Sequence, residues 1–253
     1  GADVPRSLLW LRQVFHDPET LGADILYSRI PAMLGAGHLS PIPYTTEQYR
    51  LWPDQLPWVR PLFRRTNNDP NCLGLVLLSE LPAGAWPPAG IDAERPLVAH
   101  NGPDPERLGE PMAKEVARER LALPQDRAIA VYAGRIGCDK GLDRVAQLAA
   151  LRPRVLFLLV GANGKTGAVN ETENLRLVAW QAPGALGAWL RAADMLLVPP
   201  SRAPLERHRN CVLPMKLFSY LAASRAILAP ASPDTAELLR DEENALLVPP
   251  DQP

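Results

Sequence analysis

The chain has 253 residues, with 27 Lys+Arg against 28 Asp+Glu and a formal net charge of -1, so its overall balance carries no long-range attraction to nucleic acid or an anionic membrane. Its composition, 47% hydrophobic and 22% charged, excludes the disordered, collagenous and coiled-coil classes and leaves enough apolar material for a sizeable core. No run approaches the ~18 apolar residues of a membrane span, and the first residues lack the basic-then-apolar layout of a secretion signal.

In chain order, residues 23–30 (ADILYSRI), 41–47 (PIPYTTE), 72–80 (CLGLVLLSE) and 95–101 (RPLVAHN) recur at spacings suited to the strands of one α/β unit. A boundary is expected near Gly102, where Gly102-Pro103-Asp104-Pro105 reads as a hinge because Pro and Gly suppress both helix and strand. This divides the chain into 1–102 and 103–253. Beyond it, short apolar runs at 128–134, 154–161, 175–181, 195–200, 226–230 and 244–250 alternate with helical spacing at 141–153, 184–194, 214–224 and 234–243. Continuous apolar runs are strands buried on both faces, and strand and helix in turn give a parallel, doubly wound sheet. The expected fold class is α/β with two Rossmann-like units and a cleft between them. The first unit reads as short, and the chain as incomplete at one or both ends.

Cys72, Cys138 and Cys211 lie far apart, without a CxxC pair or a histidine at ligand spacing, which argues against a zinc site and a disulfide framework. A reducing cytoplasm fits that usage. The tryptophans and arginines form no aromatic-interleaved basic stripe, so nucleic acid is not an expected partner. Peripheral membrane contact stays open.

Three segments could carry chemistry. Residues 134–141 (GRIGCDKG) join a strand end to a helix start, the place where open α/β sheets bind ligands. Free N–H groups there, in a segment that includes Gly134 and Gly137, favour a phosphate, and Arg135 and Lys140 supply positive charge to the same anion. The second segment is the loop and helix over 204–223. Glu206 and Asn210 crowd polar groups into the loop beside Cys211, Pro214 suits a first helical turn, and Lys216 and Ser219 share a helix face. The third, 161–166 (GANGKT), is a near miss to a phosphate-binding P-loop, because it has two residues between its glycines where four are needed. It reads as a turn. In the first unit Glu47 is the best-placed acidic group, and none of His16, His38, His100 and His208 sits in a nucleophile setting.

Taken together, residues 98–108, the GR…KG turn, LFLLVG, the run from LRLVAWQ to LLVPPS, LPMKLFSYLAASRAILAP and ELLRDEENALLVPP follow one another in an order that resembles the nucleotide-binding domain of GT-B glycosyltransferases of the family-4, "group 1" type. The resemblance covers about 150 residues. It implies a retaining transferase that moves a sugar from a nucleoside diphosphate sugar to an acceptor such as a glycan, a lipid or a small molecule, with no cofactor and no essential metal. It makes 1–102 the acceptor-side unit and 103–253 the donor-binding domain. Arg135, Lys140 and Glu47 become the candidate catalytic residues; Gly134, Gly137, Glu206, Asn210, Cys211, Lys216 and Ser219 become the candidate donor-binding residues. One departure stands out. The family carries two glutamates eight positions apart, and here those positions are Cys211 and Ser219. A non-catalytic nucleotide-sugar or glycan-binding relative is therefore the alternative expectation.

Overall fold

The structure is a computed structural model, and it describes residues 4–50, 52–83, 86–92, 94, 96–162, 169–182, 184–200 and 213–249. Contacts divide the chain into two compact units, Gly1–His100 and Asn101–Pro253. Both are parallel α/β layers, so the fold class is that of two Rossmann-like units.

The first unit holds four parallel strands in the order β1-β2-β3-β4, namely Leu26–Ser28, Tyr44–Gln48, Cys72–Leu77 and Pro96–Val98. Helix α1 (Val4–His16) buries Leu11 and Phe15, which lie four apart on one face, against Met33, Tyr44 and Cys72. Helix α2 (Arg60–Asn67) sends Phe63 to the opposite core with Leu34, Leu75, Leu77 and Trp86. The Tyr44 hydroxyl donates to the Thr66 carbonyl at 2.6 Å, so a fully buried phenol ties β2 to α2 without an orphaned proton.

The second unit holds six parallel strands in the order β10-β9-β8-β5-β6-β7. They are β5 Ile129–Ala133, β6 Leu156–Ala162, β7 Leu175–Ala179, β8 Met195–Leu197, β9 Ala226–Pro230 and β10 Leu246–Val248. Alternation explains why β5 and β6 read as unbroken apolar runs. Ile129, Val131 and Ala133 of β5, with Leu156, Leu158 and Val160 of β6, enter one core; Ala130, Tyr132, Phe157 and Leu159 enter the other. Successive side chains point to opposite faces, and both faces are covered. The covering helices are α3 (Lys114–Arg120), α4 (Leu142–Leu151), α5 (Leu186–Ala192) and α6 (Lys216–Ala223). The strand order reverses at β5, which pairs with β6 on one side and β8 on the other. That reversal leaves a crevice beyond the strand ends, because α4 and α6, the described helices that follow β5 and β8, pack on opposite faces of the sheet.

Two sequence expectations are corrected. The helix expected over 234–243 is only Pro233–Ala236. Asn244 stops it: its side-chain carbonyl accepts from the Arg240 N–H at 2.7 Å and its amide donates to the Leu238 carbonyl at 3.0 Å, taking both groups away from a helical ladder. Pro105, read as part of a hinge, instead opens a short helix, Pro105–Leu108, capped by the Asp104 carboxylate accepting from the Glu106 and Arg107 N–H groups. Aligned Pro and Asp are as good a helix start as a helix break.

Candidate functional site

A cavity of about 510 Å³ opens at the carboxyl ends of β5, β6 and β7 in the second unit, with Gly134, Arg135, Lys140, Trp180, Lys216 and Ser219 in its wall. Its floor is two glycines in close approach. Gly134 (φ +145°) follows β5 and donates its N–H to the Val160 carbonyl at 2.9 Å. Gly161 (φ +127°) sits at a register shift between β6 and β7, and a Cβ there would lie 2.2 Å from the Gly134 carbonyl oxygen. Neither position accepts a side chain, so backbone alone lines the crevice.

After Gly134 the chain makes a single tight turn, Cys138–Lys140, before α4. Gly141 ends the turn at φ +65°, and a Cβ on it would fall 2.0 Å from the Pro200 carbonyl oxygen after β8. The turn is therefore clamped between the two strands at which the sheet order reverses. Arg135 Nη2 lies 2.6 Å and Lys140 Nζ 3.4 Å from the same Asp139 oxygen. Desolvation raises the Asp139 carboxyl, but Lys140, Arg135 and local hydrogen bonds together hold it below its ordinary range. Its charge is shared between two cations, and both line the cavity. Gly137 is not in the cavity wall; a Cβ there would meet Asp139 at 2.9 Å and Arg135 at 3.0 Å, so it makes room for this ion pair.

Helix α6 supplies the opposite wall. Lys216 places Nζ 3.7 Å from the centroid of the Tyr132 ring, and 3.3 Å from where a Gly134 Cβ would stand. Burial, with the Lys140 charge second, pushes the Lys216 amine down to about 7. Tyr132 is pushed up to about 12 by burial, and its hydroxyl donates to the Arg135 carbonyl at 2.9 Å. It is thus a neutral strut beneath the cationic turn. Tyr220, one turn along α6 from Lys216, is fully buried; its hydroxyl accepts from the Ala133 N–H at 2.8 Å and donates to the Leu197 carbonyl at 3.2 Å. That phenol fixes the helix to the ends of β5 and β8, which is what aims Lys216 and Ser219 into the cavity. Trp180, 60% exposed, follows the end of β7 and also lines the cavity.

The chain matches the family model "Glycosyl transferases group 1" over residues 127–253, half of its length and the whole of this strand-turn-helix framework. It belongs to that family. Among curated relatives, a D-inositol 3-phosphate glycosyltransferase of Xylanimonas cellulosilytica is 34% identical over 127 residues, covering 44% of this chain and 30% of the relative. A second D-inositol 3-phosphate glycosyltransferase, from Nocardioides sp., is 32% identical over 179 residues, 62% of this chain and 38% of its own length. The chain spans about a third of the length of these curated relatives. Among solved structures, Anabaena Alr3699/HepE in complex with UDP superposes with a TM-score of 0.74 at 17% identity, covering 95% of this chain and 68% of that one. Sucrose-phosphate synthase from Thermosynechococcus elongatus superposes with a TM-score of 0.73 at 16% identity, covering 98% and 65%. These superpositions cover nearly the whole chain and show the fold of GT-B glycosyltransferases.

Of the residues singled out in the sequence, Gly134, Arg135, Lys140, Lys216 and Ser219 meet at one cavity. Glu206, Asn210 and Cys211 lie outside the described residues, as do most of the residues of the GANGKT turn. Glu47 belongs to the first unit, on β2, where Arg29 Nε meets its carboxylate at 2.8 Å and the Tyr27 hydroxyl donates to it. Both partners come from the adjoining strand region, and burial with the Glu47 bond pushes the Tyr27 phenol up to about 12. Tyr132, Tyr220 and Trp180 were not legible as site residues. Tyr132 and Trp180 sit in apolar runs and Tyr220 in a segment of helical spacing, patterns that announce only core, and the one available signal is that Tyr132 lies two residues before the Gly134 turn. Among the described residues no group of three His, Cys, Asp or Glu side chains is placed to hold a metal, and no helix is long and apolar enough to cross a membrane.

Proposed function

We propose that residues 103–253 form the donor-binding domain of a retaining, metal-independent glycosyltransferase, which transfers a sugar from a nucleoside diphosphate sugar to an acceptor. The observation that carries this reading is the convergence of Arg135, Lys140 and Lys216 on a cavity floored by backbone at the sheet's reversal point. Breaking the bond between sugar and diphosphate moves negative charge onto phosphate oxygens. Fixed cations beside a glycine turn stabilise that charge more in the transition state than in the ground state, which is the condition for raising the chemical rate. They supply the compensation that a divalent ion would otherwise give. Trp180 offers a flat face for a nucleobase, and the Ser219 hydroxyl a partner for one ribose oxygen. Uridine is the first base to try, since the similar fold of Alr3699/HepE holds UDP and UDP-glucose.

A second reading is favoured by Ser219 itself: where the family places a carboxylate, a hydroxyl offers a single contact, which fits a protein that binds a nucleotide sugar without turning it over. One titration separates the two. UDP, GDP, ADP and CMP, with their sugars, are titrated calorimetrically with and without EDTA, and free sugar or transferred product is followed by NMR. Stabilisation by one nucleotide family, unchanged by EDTA, and lowered roughly tenfold or more by Arg135→Ala or Lys140→Ala, is the expected outcome. Strict dependence on added metal, or unchanged affinity in both variants, refutes the assignment; binding without sugar release selects the second reading. For Glu47, the proposal of a catalytic part on the acceptor side predicts that Glu47→Gln lowers turnover and leaves nucleotide affinity unchanged, whereas unaltered turnover removes it.

A further inference from the structure

The first unit gathers positive charge on one helix face. Residues 50–68 carry four arginines and a single acid, Asp54, although the whole chain has a net charge of -1. Helix α2 (Arg60–Asn67) sorts this stretch by face: Phe63, Thr66 and Asn67 are buried, while Pro61, Leu62, Arg64 and Arg65 turn to solvent. The inner side is pinned by the Phe63 ring against Trp86, centroids 6.2 Å apart, and by the Asn67 amide donating to the Phe63 carbonyl at 2.8 Å. On the outer side Arg60, Arg64, Arg65 and Asn68 line a cavity of about 560 Å³. Arg64 lies across Gly90 (φ +82°), where a Cβ would come 3.0 Å from its Cδ, and Asn68 donates to the Gly90 carbonyl at 3.0 Å. Arg60 shares Asp54 at 3.1 Å, and the next acid, Asp69, accepts the Asn71 N–H at 2.9 Å. Arg64 and Arg65 are then the outward charge of the patch. Leu51, Gly84, Ala85, Ala93 and Arg95, which lie outside the described residues of this stretch, include no acid to cancel it. Apolar surface adjoins the charge: Trp58, two residues before the helix, is 76% exposed, and Leu62 is 46% exposed.

We propose that the outer face of α2, together with Trp58, docks the first unit on an anionic membrane surface, with Arg64 and Arg65 on lipid phosphates and Trp58 and Leu62 at the boundary between headgroups and acyl chains. That boundary is the place where an indole and a leucine leave water while arginines beside them keep anionic partners. A polynucleotide meets the charge and leaves Leu62 in water. The chain's overall charge is no obstacle, because an anionic surface acts only over about 8–10 Å in ordinary salt and so feels the local patch. Nothing in this inference rests on the donor-site reading.

The test floats the whole chain with vesicles of phosphatidylcholine alone and of phosphatidylcholine with about one third phosphatidylglycerol. The chain should bind the anionic vesicles, leave the neutral ones free, and come off at about 0.5 M salt. The double variant Arg64→Gln/Arg65→Gln should lower the partition about 25-fold, roughly fivefold per arginine. Tryptophan emission should move to shorter wavelength on binding, and by less in Trp58→Phe. These side chains are exposed, so melting temperatures at the wild-type value show that the variants are folded. Failure to bind either vesicle, equal binding to both, or undiminished binding by the double variant overturns the proposal; an unchanged emission shift in Trp58→Phe overturns the insertion of that indole. Retention on heparin without vesicle binding assigns the arginines to a soluble polyanion and overturns it as well. Nucleotide titrations are untouched by any of these outcomes, so the donor site stands or falls separately.

Discussion

Tyr220→Phe isolates the device that holds the second wall of the cavity in place. The ring stays, so the apolar contacts of a fully buried side chain with the main core of the second unit are kept. Only the hydroxyl goes. It now accepts from the Ala133 N–H at 2.8 Å and donates to the Leu197 carbonyl at 3.2 Å, both in the interior. Two ordinary hydrogen bonds contribute about 0.5–1.5 kcal/mol each, and an orphaned buried N–H costs about 1–3 kcal/mol; the 3.2 Å bond is the weaker, and its carbonyl tolerates the loss. Taking the orphaned N–H at about 2 kcal/mol in place of its own bond, and up to about 1 kcal/mol for the weaker bond, the loss is roughly 2–3 kcal/mol. Equilibrium urea unfolding monitored by tryptophan fluorescence should show that loss with an unchanged slope, and the melting temperature should fall by about 4–12 °C. Nucleotide affinity should fall as well under conditions where the variant is folded, because α6 is then released from the ends of β5 and β8. A loss under about 0.5 kcal/mol refutes the claim that the hydroxyl ties the helix down. A full stability loss with unchanged nucleotide affinity refutes the claim that this tie positions Lys216 and Ser219.

The remaining expectations concern the turn and the packing behind it. Gly141→Ala adds a methyl that would stand 2.0 Å from the Pro200 carbonyl oxygen in a left-handed backbone, so both nucleotide binding and melting temperature should drop; wild-type values for both would show that the turn is not clamped there. Asp194 receives Lys114 Nζ at 2.8 Å, the Ile129 N–H at 2.8 Å and the buried Arg118 at 2.6 Å. Desolvation opposes its ionisation, yet these bonds hold its carboxyl below the ordinary range. A depressed carboxyl adds stability that is fully present above about pH 4 and is lost as pH falls through the native value. Asp194→Asn should therefore cost about 1–3 kcal/mol from pH 5 to 8, with the difference from wild type closing below pH 4; a difference that persists undiminished at pH 3 refutes the linkage.

How far the sequence alone reached depends on how local each cause is. β9 coincides with the expected run 226–230, β5 falls inside its run, and β6 overlaps its run and extends one residue past it, because a strand covered on both faces must be apolar at every position and that pattern is written residue by residue. The turn from Gly134 to Gly141 was legible for a similar reason: glycine is favoured at the positive φ of its two ends, and charge next to glycine is visible in one dimension. The helix expected over 234–243 failed because the Asn244 side chain competes for backbone groups in a way that spacing does not show. What joins the site was settled by the tertiary structure. Lys216 comes to the Tyr132 ring, and Tyr220 to the Ala133 N–H, across more than eighty residues of chain, and no periodicity encodes which apolar-run tyrosine will find which backbone group. The sequence determined strands, helices and a cationic glycine turn, since those follow from local sterics and alternation. Only the folded sheet decided that Arg135, Lys140 and Lys216, far apart in the chain, line one cavity, since that depends on which strand ends the reversed strand order brings side by side.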